Sequence, residues 1–140
     1  MKDMTKFAVS IAAFAILGLA AAPSARAAGC SNATLKGRYT ATITGSLGGA
    51  PLAELDLVTS PGDGTFSGTG TVSEDGVIST VSFTATYTIN SDCTGSAVLS
   101  TGVTQNFNIQ PDGSEVDIIS TNSGATITAV AKRLGSRKDD

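Results

Sequence analysis

The chain contains no histidine and no tryptophan among its 140 residues. The first absence removes Ser-His-Asp and Cys-His nucleophilic machinery, histidine metal sites and the commonest general base together. Two cysteines are too few for a structural zinc. Aromatic residues make up 5% of the chain, which leaves few rings for a carbohydrate-stacking platform. Positive charge is scarce as well: nine Lys and Arg stand against twelve Asp and Glu, a formal charge of −3, which argues against nucleic acid or anionic lipid as a partner. The longest apolar run, Phe7 to Ala22, falls short of the roughly 20 residues a membrane-spanning helix needs. No catalytic motif stands out, and nothing implies a cofactor or a metal. The glycines from Gly64 to Gly70 alternate with threonine and serine and no helix follows them, so they read as strand rather than as a phosphate-binding loop.

What is present begins with a leader. Lys2 and Lys6 precede the apolar run, and Pro23 and Ser24-Ala25-Arg26-Ala27-Ala28 follow it, the pattern of a bacterial secretory signal peptide over residues 1–27 with cleavage expected after Ala27. Loss of Lys2, Lys6, Arg26 and Asp3 would leave a mildly acidic chain, large enough for one small domain over 28–134 with a short polar tail over 135–140. The expected location is secreted or periplasmic, without a transmembrane span in the mature chain. There, Cys30 and Cys93 would be free to pair, and one disulfide is the natural reading. The alternative makes Cys30 a lipidated N-terminal residue after Ala28-Gly29, although Ala27 stands where a lipobox carries leucine.

From Ser31 to Lys36 the chain can make one helical turn, capped by Ser31 or Asn32 and ended by Gly37. Beyond it, alternation of apolar with threonine and serine residues dominates, most clearly from Val77 to Ile89. Eight strands are expected near 38–47, 51–59, 64–74, 77–90, 94–100, 103–110, 114–121 and 125–133. Between them lie Gly48-Gly49, Pro61-Gly62-Asp63-Gly64, Asp75-Gly76, Ser91-Asp92, Thr101-Gly102, Pro111-Asp112-Gly113 and Asn122-Ser123-Gly124. Connections this short join antiparallel neighbours only. An eight-stranded meander removes both raw edges by closing, so the expected fold is all-β: an eight-stranded antiparallel up-and-down barrel. The inward parity collects Tyr39, Ile43, Leu55, Leu57, Phe66, Val77, Val81, Phe83, Tyr87, Phe107 and Val116 among others. It also collects several alanines and glycines that would leave room at one end.

The segment Leu35-Lys36-Gly37-Arg38-Tyr39, with Arg133 on the last strand, resembles the signature of calycin barrels such as lipocalins and avidins, in which a basic side chain covers an aromatic of the first strand. The resemblance implies a Tyr39–Arg133 contact that closes the barrel, of about 1 kcal/mol. More of the chain is similar to a group of small secreted bacterial proteins with an allene-oxide-cyclase-like barrel. That similarity rests on Cys30, Leu35 to Tyr39, Gly64-Thr65-Phe66-Ser67-Gly68-Thr69-Gly70, Tyr87-Thr88-Ile89-Asn90 and Asp92-Cys93-Thr94-Gly95-Ser96. It implies the barrel and the Cys30–Cys93 pair and carries no activity with it. No motif here matches the cyclase site of the plant enzymes.

Carboxylates remain as acid–base groups. Glu54 with Asp56, and Glu115 with Asp117, each share a strand face. The parity that buries Leu55, Leu57, Val116 and Ile118 would put all four in solvent. Asp63, Asp75 and Asp112 sit beside turn glycines, where aspartate bonds nearby backbone. Three functions follow. The first is non-enzymatic binding of a small apolar molecule in the barrel mouth, lined by Tyr39, Phe66, Phe83, Tyr87, Gln105 and Phe107. The second is a structural or interaction module of the envelope or matrix. The third is an isomerase or cyclase acting by confinement, which requires a carboxylate or tyrosine inside the barrel.

Overall fold

The computed structural model describes residues 29–135. The expected signal peptide, its cleavage point and the tail beyond residue 135 lie outside the described residues. A 3₁₀ turn, Asn32–Thr34, precedes eight strands: β1 (Lys36–Leu47), β2 (Ala50–Pro61), β3 (Thr65–Glu74), β4 (Val77–Ile89), β5 (Thr94–Leu99), β6 (Thr104–Ile109), β7 (Glu115–Ser120) and β8 (Ala125–Arg133). Each strand pairs antiparallel with the next, and β8 pairs with β1, so the sheet closes as an up-and-down barrel. All eight expected strands are present, with ends displaced by two residues at most.

Turn chemistry sets the registers. Gly48 and Gly49 have φ of 57° and 86°, and Asp75 and Gly76 of 49° and 80°. Positive φ at both central positions is the requirement of the two-residue type I′ hairpin, whose twist matches the strands it joins. Leu47 therefore pairs with Ala50 across the first turn, and Glu74 with Val77 across the other.

Paired residues share a face of the sheet. Tyr39 and Ala41 are buried in the barrel, and their β1–β2 partners are Val58 and Asp56; the next inward residue of β1, Ile43, pairs with Glu54. Parity along β2 is thus the reverse of the expected one. Leu55 and Leu57 point outward at 58% and 39% exposure, while Asp56 is 7% exposed. A register fixed by the glycine turn and anchored by the Tyr39 ring outweighs the local hydrophobicity of two leucines, because a one-residue slip would turn the whole strand over.

The wall is uneven in height. β1 to β4 run 10 to 13 residues, β5 to β7 only six each. β4 meets β5 through Ala85 to Ile89 alone, so the β3–β4 hairpin rises past the rim. Val77, expected inside, is accordingly 70% exposed, because no opposite wall reaches its height.

The other end is plugged. Cys30 is bonded to Cys93, tying the N-terminal segment to the β4–β5 turn. That bond engages the sulfur that a lipid thioether would need. Ser31 caps the 3₁₀ turn, its amide donating to Thr34 Oγ1 at 3.0 Å. Asn32 is not the cap: its Oδ1 accepts from the Ile89 amide at 2.8 Å, docking the turn on β4. Arg133 lies over the Tyr39 ring, 5.7 Å from its centroid. Its Nε donates to the Tyr39 hydroxyl at 3.2 Å, its Nη2 donates to the Thr34 carbonyl at 3.1 Å, and the Tyr39 hydroxyl donates to the Gly113 carbonyl at 2.8 Å. First strand, last strand, plug and β6–β7 turn thus meet at one phenol.

The disulfide closes a loop 63 residues apart in sequence, for which chain entropy alone allows about 4 kcal/mol. Cys93→Ser is expected to lower the thermal midpoint under non-reducing conditions by roughly 10 °C or more. Calorimetry that finds the midpoint unchanged would show the tie to be idle.

Candidate functional site

Above the plug the barrel is hollow. A cavity of about 550 Å³ runs from a floor of Leu35, Tyr39 and Phe66 to a mouth edged by Thr101, Gly102, Asn122 and Ser123. The size lies within the roughly 300–1,000 Å³ of small-molecule pockets. Its origin is a gradient of side-chain volume along the barrel. Near the plug, large rings fill the interior: Phe66 stacks with Tyr87 at 5.9 Å between centroids and meets Phe83 edge-on at 6.3 Å. Higher up, the inward residues of β1 and β8 include Ala41, Ala129 and Ala131, whose small side chains leave the middle of the barrel open.

Of the residues expected to line a ligand site, Tyr39, Phe66, Phe83, Gln105 and Phe107 line this cavity. Tyr87 does not. Its hydroxyl points into the plug, where it donates to the Asn32 carbonyl at 2.8 Å and lies 3.3 Å from Ser60 Oγ.

The residues sequence reasoning placed in solvent are the polar centre of the cavity. Glu54 and Asp56 project inward from β2. Glu54 is flanked in register by Ile43 and Val72, and Asp56 by Ala41 and Gly70. Gly70 is there of necessity: a methyl group at that position would overlap the Asp56 carboxylate. Among the described residues, Asp56 Oδ1 is buried without a hydrogen-bond partner, and no Lys or Arg lines the cavity. The second acidic pair behaves as expected: Asp117 is exposed, and Glu115 lies on the outside, 3.9 Å from Lys132 Nζ. The missed signal was legible in the chain. A two-residue turn at Gly48-Gly49 with Tyr39 inside requires Val58, Asp56 and Glu54 inside as well.

Burial pushes the Glu54 carboxyl up from 4.5 to about 7, helped by the negative charge of Asp56 and by the hydrogen bond between the two carboxyl groups. Burial also raises Asp56, against the lowering effect of that same bond. Burial thus works against two negative charges at this spot, and near neutral pH Glu54 is poised between its protonated and ionised forms. At the plugged end Asp63, Asp92 and Asp112 are held below their ordinary value by the hydroxyls and amides of Thr65, Thr94 and Ser114, the backbone bonding expected of turn aspartates for Asp63 and Asp112.

No protein-family model matches the chain, and no curated protein matches it. Among solved structures it is similar to a de novo designed fluorescence-activating β-barrel, with a TM-score of 0.47 and 12% identity over 75% of this chain and 99% of that one.

The pH dependence of stability follows from these groups. A carboxyl whose folded pKa is raised takes up protons on folding, so its favourable contribution is complete below its unfolded value and is lost as the pH rises. For Glu54 the window runs from 4.5 to about 7. The three turn aspartates act oppositely, adding stability above their ordinary value of 3.8 that is lost as the pH falls. The thermal midpoint is expected to peak near pH 4.5 and to decline toward pH 7 and above. In Glu54→Gln the decline should be much shallower. A midpoint that rises steadily from pH 4.5 to 8 in the unsubstituted protein contradicts the buried pair.

Proposed function

We propose that this protein is an exported carrier or sensor that holds one small, largely apolar molecule inside its barrel. The observation that carries the reading is the cavity of about 550 Å³ in which a mostly apolar wall surrounds one inward carboxyl pair. A barrel selected only for stability would fill that volume, because empty apolar space costs about 24 cal/mol per Å³. Inside the barrel Glu54, Asp56 and Gln105, with Thr101, Ser120, Asn122 and Ser123 toward the mouth, match the pattern of ligand sites in which apolar surface supplies affinity and fewer polar groups fix orientation. Export is part of the proposal. The N-terminal pattern of residues 1–27 supports it, and the Cys30–Cys93 disulfide is consistent with an oxidising compartment. No helix among the described residues is long and apolar enough to cross a membrane. The kinship with secreted allene-oxide-cyclase-like barrels belongs to this proposal too, supported by the shared fold class and the cysteine pair.

One observation favours a second reading, proton-transfer catalysis on a confined substrate. Glu54, raised to about 7, is a proton carrier poised near neutral pH inside an apolar chamber. The two readings part on the fate of the bound molecule, which a carrier releases unchanged and an isomerase releases rearranged.

The binding reading is tested with the neutral apolar dye N-phenyl-1-naphthylamine. Fluorescence should rise saturably at one dye per barrel. Ala129→Phe, which projects a ring into the cavity from β8, should weaken binding by about tenfold or more while the thermal midpoint stays within a few degrees, since the ring enters open space. Absence of saturable binding, or equal binding by the filled variant, rejects the reading.

A further inference from the structure

Building on the binding reading, we propose that the natural occupant is an amphiphilic amine: an apolar body in the upper barrel with one ammonium group seated on Glu54 and Asp56. The argument is one of charge. Asp56 is 7% exposed, lines the cavity, and has one carboxylate oxygen without any hydrogen-bond partner among the described residues. A buried carboxyl oxygen without a partner is costly, and native structures normally satisfy such a group with a hydrogen bond or a counter-charge. Among the described residues none does so.

The elements packed around the pair offer nothing basic. β1 presents Ala41 and Ile43, β3 presents Gly70 and Val72, β4 presents Val81 and Phe83, and β8 presents Ala129 and Ala131. β6 and β7 add Gln105, Phe107, Val116 and Ile118. The charged residues of inward parity beyond the pair are Glu74, exposed on the projecting hairpin, and Arg133, which is committed to Tyr39 and Thr34 at the plug. Gly70 meanwhile clears a niche for the Asp56 carboxylate that any side chain would fill. The barrel thus supplies two acids and an apolar chamber above and beside them.

Ligand chemistry discriminates among the occupants that such a chamber admits. An alcohol would donate a hydrogen bond without neutralising the charge. A fatty acid would bring a third carboxyl to the pair. An ammonium would satisfy Asp56 and favour the ionised form of Glu54. By linkage its affinity must then rise as the pH passes through the range in which Glu54 ionises, by about tenfold for each unit by which the ammonium lowers the Glu54 pKa.

The test compares octylamine, octanol and octanoate as matched eight-carbon probes on the purified protein, by calorimetric titration at pH 5.5 and pH 8. Octylamine is expected to bind at least about tenfold more tightly than octanol at pH 8 and to strengthen between the two pH values, because its own amine stays protonated throughout. Octanol should show no such rise, and octanoate should bind worst at pH 8. Asp56→Asn, a near-isosteric change, should bring octylamine down to the level of octanol while leaving octanol unchanged. Glu54→Gln should abolish the pH rise. Octanol binding as well as octylamine, or an amine preference that survives Asp56→Asn in a folded variant, overturns the amine proposal and leaves the binding reading intact. If none of the three probes binds and the naphthylamine dye does not either, both fall.

Discussion

The pairing of β1 with β2 across Gly48-Gly49 is the constraint on which the rest of this molecule depends. Two residues of positive φ leave the hairpin a single register. Tyr39 then decides which face is inside, because its ring is 1% exposed and its hydroxyl is bonded to Arg133 and Gly113 at the point where the sheet closes. With turn and anchor both set, no freedom remains for Glu54 and Asp56. They enter the barrel although each is flanked by a leucine that a strand free to choose would bury instead. The acidic centre of the cavity is thus a consequence of hairpin geometry, held in place by the closure of the whole sheet.

The two ends of the barrel divide the work. At the plug, the disulfide, the 3₁₀ turn, the Tyr39–Arg133 contact and the stacked Phe66 and Tyr87 rings concentrate the cohesion of the fold. Toward the mouth β5 to β7 stop short, and the inner surface is built from aliphatic residues such as Leu47, Leu52 and Ile127 with a polar edge at Thr101, Asn122 and Ser123. Stability lost to the hollow and to the buried acids is offset at the far end, so the cavity can stay open without loosening the barrel around it. The raised Glu54 pKa is the kind of perturbation that burial in a cleft produces at candidate sites. It coincides with the niche at Gly70, an independent geometric sign that the Asp56 carboxylate is accommodated rather than tolerated.

Much of the fold was legible from periodicity and turn residues. Eight strands, their order and the closed topology follow from alternation and from glycine and aspartate at the turns, because short connections allow only antiparallel neighbours. Five of the six expected lining residues reach the cavity. Tyr87 goes elsewhere because its hydroxyl finds acceptors in the plug, a contact across more than 50 residues that no local pattern encodes. The acidic pair was misplaced for a different reason. Alternation says that residues 54 and 56 share a face and that 55 and 57 share the other, but it is silent on which face is buried, and hydrophobicity alone prefers the leucines.

By itself, then, the sequence determined the period, the turns, the antiparallel order and the chemistries that lack of histidine excludes, all of which are set by residues near one another in the chain. The tertiary structure held β2 in the orientation that its turn and Tyr39 imply, against its leucines, and decided the uneven height that bares Val77, the hollow above the ring layer, and the meeting of Asp56 with Gly70. Those outcomes depend on registers summed around a closed sheet, where each strand inherits its orientation from the one before it and closure admits only one consistent set.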